Sequence, residues 1–325
     1  MRSGASGFVH VLSTRVGIGV YDEAWFDYRL KLFSAVTVPS IAAQTCQDFT
    51  WLLVVDKQMP PKARGVFDEV IKPLKNVVVL EVEFKADFRK TVARWSKEYA
   101  AVKRADFVLS SRLDDDDALH ITAFERIHAE TDGFFTREDL RFAVFSLNVG
   151  CMWLPSKGHG YTRYHDSLGI GLSLMEPAES VETVYAHPHR DIKQRLTPRG
   201  SYMCGVDGAE LWWLYAAHTI SDSDKGDGKR HQRIINHKYG YSLDRKTMQR
   251  FGLIPEQIAG LREVGEPIPR QATKFLSLRT LETEKQIRSI RSELTDASWL
   301  RRRLLTQRLS RLERERVQAG SNIVE

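Results

Sequence analysis

A short apolar run that ends in four consecutive carboxylates constrains the fold of this chain more than any other stretch. Residues 107–113 have the length and the Val, Leu and Phe content of a buried strand, and Asp114-Asp115-Asp116-Asp117 follow at once. A helix-like pattern occupies residues 121–130, so the sequence predicts a strand, an acidic turn and a helix. Open α/β sheets bind their ligands at the carboxyl ends of the strands, which is where these carboxylates are expected.

Four neighbouring carboxylates repel one another, and a partly dry cleft raises their pKa values unless a cation is present. An all-oxygen group without Cys or His beside it suits a hard ion such as Mg²⁺ or Mn²⁺, and such ions usually share the phosphates of a substrate. The acidic run therefore predicts a site for a metal-bound phosphate ester. A solvated turn or helix N-terminus, where Asp is also favoured, is the alternative that the run alone leaves open.

Strand and helix patterns alternate through the first 150 residues. The predicted strands are 8–13, 49–56, 76–82 and 107–113, and the predicted helices are 87–103 and 25–43, the latter kinked or broken at Pro39. Such alternation implies right-handed βαβ units and a parallel sheet, so Asp56 is expected to share a crevice with the acidic run. The Gly17-x-Gly19 pair lacks the third glycine of a dinucleotide-binding loop, and no Walker-type loop is present, which argues against both kinds of site.

The composition is that of an ordinary globular protein of 325 residues, with 42% apolar and 28% charged residues. The net charge is +6, and residues 281–325 hold ten Lys or Arg against seven acids. This mild bias of the tail is weak support for a nucleic-acid partner, and none is expected. The sequence has neither a signal-peptide core nor the roughly 18 consecutive apolar residues of a membrane span. Three widely spaced cysteines, Cys46, Cys151 and Cys204, show no metal-ligand pattern and indicate reduced thiols in a cytoplasmic protein.

Separate motifs in a fixed order give the chain a resemblance to a known family. They are Thr14-Arg15 after the first strand, the helix end Pro39-Ser40-Ile41-Ala42-Ala43-Gln44-Thr45, the stretch Gln47-Asp48-Phe49-Thr50-Trp51 that leads to Asp56, and Ser111-Arg112-Leu113-Asp114-Asp115-Asp116-Asp117-Ala118-Leu119. With them the chain resembles the putative rhamnosyl transferase family of bacterial glycosyltransferases and, more broadly, glycosyltransferases of the GT-A fold. The resemblance is best over residues 8–130 and patchier to residue 225. It implies an α/β, GT-A-like fold, a Rossmann-like mixed sheet flanked by helices with a C-terminal helical extension.

The resemblance also implies a binding site for a nucleotide diphosphate sugar donor. In its Asp-x-Asp element, Asp114 would lie near the ribose and the metal, and Asp116 would hold a Mn²⁺ or Mg²⁺ ion against the diphosphate. Asp115 and Asp117 would support these contacts or reach the acceptor. Further nucleotide contacts are expected from Thr14, Arg15, Asp56 and Arg112, a surface ion pair being the alternative for each Arg. The cation and the guanidinium groups would neutralise the leaving nucleoside diphosphate.

A later segment, residues 207–221, resembles a late strand of the family in which a Trp is followed by a His and then a Ser. His218 is therefore expected to complete the metal shell, and a packed or merely hydrogen-bonded histidine is the alternative. Thr219 and Ile220 stand where the family has Gly and Asn. An inverting reaction needs a base for the acceptor hydroxyl, whereas a retaining enzyme needs none in that place, and the sequence leaves the outcome open. The candidate bases are Asp207 and Glu210, with His187 and His189 behind them.

The middle of the chain is expected to build the acceptor pocket. Strands are predicted at 142–147 and 150–154, arranged as a hairpin around Asn148, and residues 157–161 are predicted to form a loop. Five aromatic residues are candidates to stack on sugar faces, with core packing as the alternative for each. They are Trp153, Tyr161, Tyr164, Trp212 and Trp213.

The last hundred residues, 226–325, are predicted to form a helical extension of a catalytic domain that spans residues 1–225. Residues 221–229 would be a polar linker or a loop that orders over bound donor. Helices are predicted at 247–264 and 272–319. This tail would pack on the catalytic domain, pair with another subunit as a homo-oligomer, or lie on the inner face of an anionic membrane through Arg301-Arg302-Arg303. The first two uses are favoured, because the basic face of the tail is not a clean one.

The sequence thus predicts a metal-dependent glycosyltransferase that moves a sugar, rhamnose by the family's name, from a nucleotide diphosphate to a glycan or lipid-linked acceptor. Two alternatives remain open. One is a nucleotidyltransferase or phosphohydrolase with the same carboxylates, although Ser13-Thr14-Arg15 stands where a phosphohydrolase would carry its Asp nucleophile. The other is a non-enzymatic protein that binds a nucleotide sugar, or a partner through its helical tail.

Overall fold

A computed structural model places two β-sheets at the centre of the molecule. The structure describes residues 7–137, 139–208, 210–218, 229–264, 283, 286–287, 289–291, 293–294 and 298–321. The strands are β1 (Phe8–Val16), β2 (Thr50–Asp56), β3 (Val77–Val82), β4 (Phe107–Arg112), β5 (Ala118–Leu119), β6 (Phe142–Leu147), β7 (Val149–Leu154), β8 (His159–Tyr164), β9 (Ser173–Pro177), β10 (Ser201–Val206), β11 (Trp213–Ala216) and β12 (Tyr241–Ser242). The α-helices are α1 (Glu23–Leu32), α2 (Val38–Ala42), α3 (Pro61–Ile71), α4 (Phe88–Lys103), α5 (Ala123–Phe135), α6 (Ile192–Leu196), α7 (Lys229–Ile235), α8 (Arg245–Gln249), α9 (Pro255–Val264) and α10 (Trp299–Ser321).

The first sheet contains seven of the described strands, in the order β10-β6-β9-β4-β1-β2-β3. Strands β4, β1, β2 and β3 run parallel, and β9 lies antiparallel between β4 and β6. The first four strands predicted from the sequence are therefore present and adjacent. The mixed sheet confirms the α/β, GT-A-like fold class.

Both faces of this sheet are covered by other parts of the fold. Strand β2 shows why a strand buried in this way is easily predicted from the sequence. A strand buried on both faces is expected to be apolar throughout rather than alternating. In β2, Trp51, Leu53 and Val55 pack in the main hydrophobic cluster, whereas Leu52 and Val54 pack in a second cluster. The second cluster includes residues of α4, so that helix covers the opposite face of the sheet.

The predicted helix 25–43 is present, with a change of pitch before Pro39. Helix α1 passes through a π-helical turn, Phe33–Thr37, into α2. Proline has no N–H to donate, and its ring clashes with the carbonyl four residues earlier, so a regular α-helical turn is disfavoured there. The N–H of Val38 accordingly bonds to the carbonyl of Phe33, five residues back. Buried residues of α1 pack in the core, and Trp25 and Arg29 of this helix border the cleft described below.

The hairpin predicted around Asn148 is wrong, because the strands on its two sides belong to different sheets. Strand β6 pairs with β9 and β10, whereas β7 pairs with β8 and β11. In the described residues, the second sheet has the order β12-β8-β7-β11-β5. The loop predicted at 157–161 is also wrong in part, since β8 begins at His159. Helix α3, between β2 and β3, was not predicted.

The main core continues beyond the domain boundary predicted at residue 225. Strand β12 pairs with β8, and Met248, Phe251 and Ile258 pack in the main hydrophobic cluster. The helix predicted at 247–264 is two helices, because α8 ends at Gln249 and α9 begins at Pro255. These residues belong to the same packed body as the sheets.

The tail forms a small helical pair of its own. Ile287 and Ile290 pack against Leu305 and Leu312 of α10. The ion pairs Arg291–Glu313, at 2.8 Å, and Arg301–Glu293, at 3.0 Å, flank this contact. The contact is intramolecular, and the predicted subunit and membrane contacts of the tail stay predictions.

Parts of two predicted segments lie outside the described residues, namely the linker or loop at 221–229 and the helix at 272–319. Among the described helices, none is long and apolar enough to cross a membrane.

Candidate active site

The carboxyl ends of β1 and β4 open into a cleft of about 1080 Å³. These strands are neighbours, with Ser13 in register with Arg112, so the residues that follow them meet at one edge of the sheet. Four carboxylates, Asp114 to Asp117, line the cleft. The basic side chains that line the cleft with them are Arg15, Arg29, Lys85, Arg89, Lys90, Arg112, Arg163, Arg190, Arg233, Arg308 and Arg311.

Arg112 and Asp114 face each other at the mouth of the strands. Nη2 of Arg112 lies 3.9 Å from Oδ1 of Asp114, and its guanidinium carbon lies 4.9 Å from the ring centroid of Tyr185. The hydroxyl of Tyr185 donates to the carbonyl of Ser13 at 2.8 Å, which fixes the ring under the guanidinium. The Nε atom of Arg112 is buried and has no hydrogen-bond partner among the described residues. Arg112 is thus held in place between Asp114 and the ring of Tyr185.

A buried cluster of charges lies beside this pair. Oδ1 of Asp115 accepts from Nε and Nη2 of Arg29 at 3.0 and 2.5 Å. Nη1 of Arg29 lies 2.7 Å from Oδ2 of Asp116 and 2.8 Å from Nε2 of His218. The His218 and Asp116 atoms are themselves 2.7 Å apart. One guanidinium therefore joins two carboxylates of the acidic turn to the histidine after β11.

Burial dominates the electrostatics of this cluster. Burial raises the pKa of Asp115 to about 6, against the opposing effect of Arg29 and with help from the neighbouring Asp116 and Asp114. Burial and the same neighbours also raise the pKa of Asp117 well above its ordinary value. One oxygen of Asp117 accepts from the backbone N–H of Ala216 at 3.0 Å, which ties the acidic turn to β11. Asp117 thus lines the cleft and also has a structural role.

The predicted divalent metal fits this arrangement poorly. Of its three predicted ligands, the structure brings together Asp116 and His218 but not Asp114, which faces Arg112 instead. Within the described residues, no group of three or more His, Cys, Asp or Glu side chains converges as a metal site would require. The guanidinium of Arg29 lies within hydrogen-bond distance of both candidate ligand atoms. The cation in contact with this pair is therefore Arg29.

Two of the predicted nucleotide contacts do not reach the cleft. Thr14 is fully buried, and its hydroxyl accepts from Nε1 of Trp51 at 2.9 Å because its side chain points to the core face of β1. Asp56 is also buried, and it accepts from the backbone N–H groups of Gly19 and Gln58 at 3.0 and 2.8 Å. Asp56 instead fixes the loop that follows β1. Arg15, Arg112, Asp114 and Asp115 do line the cleft.

Both predicted carboxylate bases lie away from the cleft. Asp207 accepts from Nδ2 of Asn148 at 2.8 Å, at the junction of the two sheets. Glu210 forms an ion pair of 2.6 Å with Arg250, a residue from the helical part of the chain. Neither lines the cleft among its described residues. Their partners Asn148 and Arg250 hold these two carboxylates away from the cleft.

One of the two histidines predicted as further candidate bases does line the cleft. His189 lies among the residues near Arg112 and Asp114, whereas His187 does not border the cleft. Burial lowers the pKa of His189 below its ordinary value, and the positive charges of Arg112 and Arg190 lower it further. These effects favour the neutral imidazole, the state in which it accepts a proton.

The sequence matches a family model described as putative rhamnosyl transferase over residues 12–203, which are 192 of the 325 residues. The chain belongs to this family. It is a glycosyltransferase, as the family resemblance of its motifs implied. None of the curated proteins matches it.

Several solved structures are similar to this glycosyltransferase at low identity. One is TarS residues 1–349 of S. aureus, at 10% identity over 86% of this chain and 91% of that chain, with a TM-score of 0.38. The same TarS fragment in complex with UDP-GlcNAc is 10% identical over 85% of this chain and 66% of that chain, with a TM-score of 0.37. A putative glucose-1-phosphate thymidylyltransferase from Bacillus anthracis, in complex with sucrose, is 9% identical over 81% of this chain and 98% of that chain, with a TM-score of 0.37.

Only Tyr161 of the five predicted sugar-stacking residues lines the cleft of this glycosyltransferase. Its ring stacks on His237 with the centroids 3.8 Å apart. Trp153 and Trp213 are fully buried, and Trp212 packs against His120. Tyr164 is exposed but outside the cleft, near Asn148. Core packing, the alternative for each of these residues, applies to the three tryptophans.

Several residues of the glycosyltransferase cleft were not predicted. Arg29 lies on the buried face of α1, beside Trp25, Phe26 and Leu30, and an arginine among apolar positions is the one signal that pointed to it. Arg308 and Arg311 come from α10, so the tail contributes to the cleft wall. The basic residues 301–316 were visible in the sequence, but their position on the cleft depends on the tertiary fold.

Proposed function

We propose that this glycosyltransferase moves a sugar from a nucleoside diphosphate donor to a glycan or lipid-linked acceptor, with rhamnose as the sugar indicated by the family's name. The observation that carries the proposal is the pairing of a basic cleft with Asp114 at the carboxyl ends of β1 and β4. A nucleoside diphosphate needs cationic groups for its phosphates and acceptors for its ribose hydroxyls, and both are adjacent there.

Four residues of the cleft would have defined roles in the reaction. Arg15 and Arg112 would bind the diphosphate and neutralise the charge that develops on it as the glycosidic bond breaks. Asp114 would accept hydrogen bonds from the ribose. His189 would take the proton of the acceptor hydroxyl if the reaction inverts the anomeric centre. The expected Mn²⁺ or Mg²⁺ ion stays a prediction.

Thermal melting of the full chain with UDP, GDP, dTDP and their sugars tests the donor site. A nucleotide at 100 times its dissociation constant should add about 2.7 kcal/mol to the free energy of unfolding. We expect one nucleotide to raise the melting temperature of the wild type, and Arg112→Gln to lose most of that rise. Arg141→Gln is the matched control, because Arg141 is an exposed arginine that pairs with Glu179 outside the cleft.

The melting result has a clear contrary outcome. If no nucleoside diphosphate or nucleotide sugar shifts the melting temperature, with or without divalent metal, the proposed donor site is wrong. If a nucleotide binds but only a nucleoside triphosphate is turned over, with release of pyrophosphate, the protein is a nucleotidyltransferase and the proposed reaction is wrong.

A further inference from the structure

Arg29 occupies a position that is unusual for an arginine, because all three guanidinium nitrogens face partners in the interior. Nε and Nη2 donate to Asp115, and Nη1 is within 2.8 Å of both Asp116 and His218. Only 9% of its side chain is exposed. These partners come from the turn after β4 and from the end of β11, so one side chain connects three separate segments of the site.

We propose that Arg29 is the resident cation of the donor site and takes the place of a divalent metal beside Asp115 and Asp116, so that a nucleoside diphosphate binds without one. The inference rests on the proposed function, since it concerns the same donor site. It goes further in assigning the cationic role to a residue of the chain itself.

The burial of Asp115 and Asp116 is the first argument. Carboxylates taken out of water need a partner charge or hydrogen-bond donors, and an arginine fork supplies both to two carboxylates at once. Arginine keeps its charge at every pH at which a protein is folded, so one of the two negative charges is always offset. The cluster therefore has its counter-charge before any ligand or ion arrives.

The position of Nη1 is the second argument. An ion that joined Asp116 to His218 would have to approach the two atoms that Nη1 already contacts at 2.7 and 2.8 Å. To admit it, Arg29 would have to withdraw and leave Asp115 buried without its donor. Its own surroundings oppose such a movement, because the guanidinium lies 5.5 Å from the ring of Trp25 and its helix is packed in the core.

The charges around the cleft are the third argument. Arg29 offsets one of the two negative charges of Asp115 and Asp116, and Arg15 and Arg112 line the same cleft. Asp114 alone is opposed to Arg112, at 3.9 Å. The described residues that line the cleft include eleven Lys or Arg side chains and four carboxylates, so the cleft is net positive without an added cation.

The experiment compares nucleotide binding and Mn²⁺ binding in the wild type and in Arg29→Gln. Melting curves of the full chain are recorded with UDP, GDP and dTDP, each in EDTA and in Mn²⁺, and Mn²⁺ alone is titrated by electron paramagnetic resonance. For the wild type we expect the same nucleotide-induced melting shift in EDTA and in Mn²⁺. In Arg29→Gln we expect a lower melting temperature, loss of the shift in EDTA, and Mn²⁺ binding about tenfold or more tighter, because a positive charge beside Asp116 has been removed.

Two further variants complete the design. Arg29→Lys keeps the charge but not the fork, and it should retain a nucleotide shift in EDTA that is smaller than that of the wild type. Arg64→Gln, which removes a more exposed arginine paired with Asp68 and Glu81, is the control and should leave both measurements unchanged. If Arg29→Gln does not fold, Arg29→Lys and the Mn²⁺ titration of the wild type still decide the question.

The contrary results are distinct for this inference and for the donor site. A wild type that needs Mn²⁺ for its nucleotide shift, or that binds Mn²⁺ tightly at a site lost in Asp116→Asn, overturns the role of Arg29. Absence of a shift with every nucleotide overturns the donor site instead. In that case the Mn²⁺ titration alone tests the role of Arg29. The role is supported if Mn²⁺ binds Arg29→Gln more tightly than the wild type, and it is wrong if the two affinities are equal.

Discussion

Oε1 of Glu176 lies 2.7 Å from the backbone nitrogen of Thr183, a residue whose φ is +69°. The other carboxylate oxygen accepts from the N–H of Glu182 at 3.0 Å. A buried glutamate at the end of β9 thus holds a threonine in a conformation that side chains rarely adopt. Neither residue is among the described residues that line the cleft, so the pair bears on stability.

Thr183→Gly should stabilise the protein. Its φ of +69° and ψ of 163° suit glycine, and the buried threonine hydroxyl has no hydrogen-bond partner among the described residues. Relief of strain of about 1–3 kcal/mol exceeds the cost of about 0.5–1 kcal/mol for the greater freedom of glycine when unfolded. We expect a gain of about 1 kcal/mol in the free energy of unfolding, measured by urea titration. Thr183→Ala removes the hydroxyl but keeps the strained backbone. If Thr183→Gly is no more stable than Thr183→Ala, the prediction is wrong.

Glu176 should make stability fall as the pH rises from about 4.5 to about 7. Burial raises the pKa of its carboxyl from 4.5 to about 7, against the two backbone N–H donors. Between these values the folded protein binds a proton that the unfolded chain has released, so unfolding is favoured as the pH increases. The shift corresponds to about 3 kcal/mol. The difference in free energy of unfolding between the wild type and Glu176→Gln should change by this order across that range, and Glu179→Gln, at an exposed carboxyl paired with Arg141, should show no such change.

The parts of the fold that the sequence predicted are those decided by local burial. Strand β2 is buried on both faces, so its apolar run from Trp51 to Val55 was sufficient evidence. The two strands around Asn148 were found at the right places but assigned to one hairpin. Their pairing depends on β9 and β11, which are distant in sequence, and a short spacing between strands does not reveal it.

The residues of the site likewise divide into those that the sequence pattern could locate and those that it could not. The acidic turn, Arg15 and Arg112 could be placed at the ends of strands by counting along the pattern. Glu210 could not, because the residue that engages it, Arg250, is 40 positions away. Arg29 could not either, since a helix pattern says which face is buried but not that a buried arginine will meet two carboxylates and a histidine.

Gly150→Ala should destabilise the protein, whereas Gly65→Ala should stabilise it. A Cβ at Gly150 would overlap the indole of Trp213, which is fully buried and donates to the carbonyl of Leu147 at 2.9 Å. Overpacking of this kind costs about 1–3 kcal/mol, and the fixed indole favours the upper end. Gly65 lies within α3 with nothing near its Cβ position, so alanine should gain about 1 kcal/mol from helix propensity. Thermal melting of both variants checks the pair, and equal melting temperatures would contradict the packing of Trp213.

His189→Gln should slow sugar transfer by about 10²- to 10⁴-fold while nucleotide binding is retained, if this histidine takes the acceptor proton. It lines the cleft, and its pKa lies below the ordinary value because of burial and the charges of Arg112 and Arg190. The transfer rate of the wild type should therefore be level near pH 7 and fall on acidification as His189 becomes protonated. The measurement is the rate of transfer at saturating donor with a fixed acceptor preparation, beside the melting shift given by the nucleotide.

Asp207→Asn and Glu210→Gln, at residues held by Asn148 and Arg250, should transfer at nearly the wild-type rate. If Asp207→Asn loses transfer with an unchanged melting temperature, the base is Asp207 and not His189. If the transfer rate of His189→Gln still falls on acidification, the group that titrates is not His189.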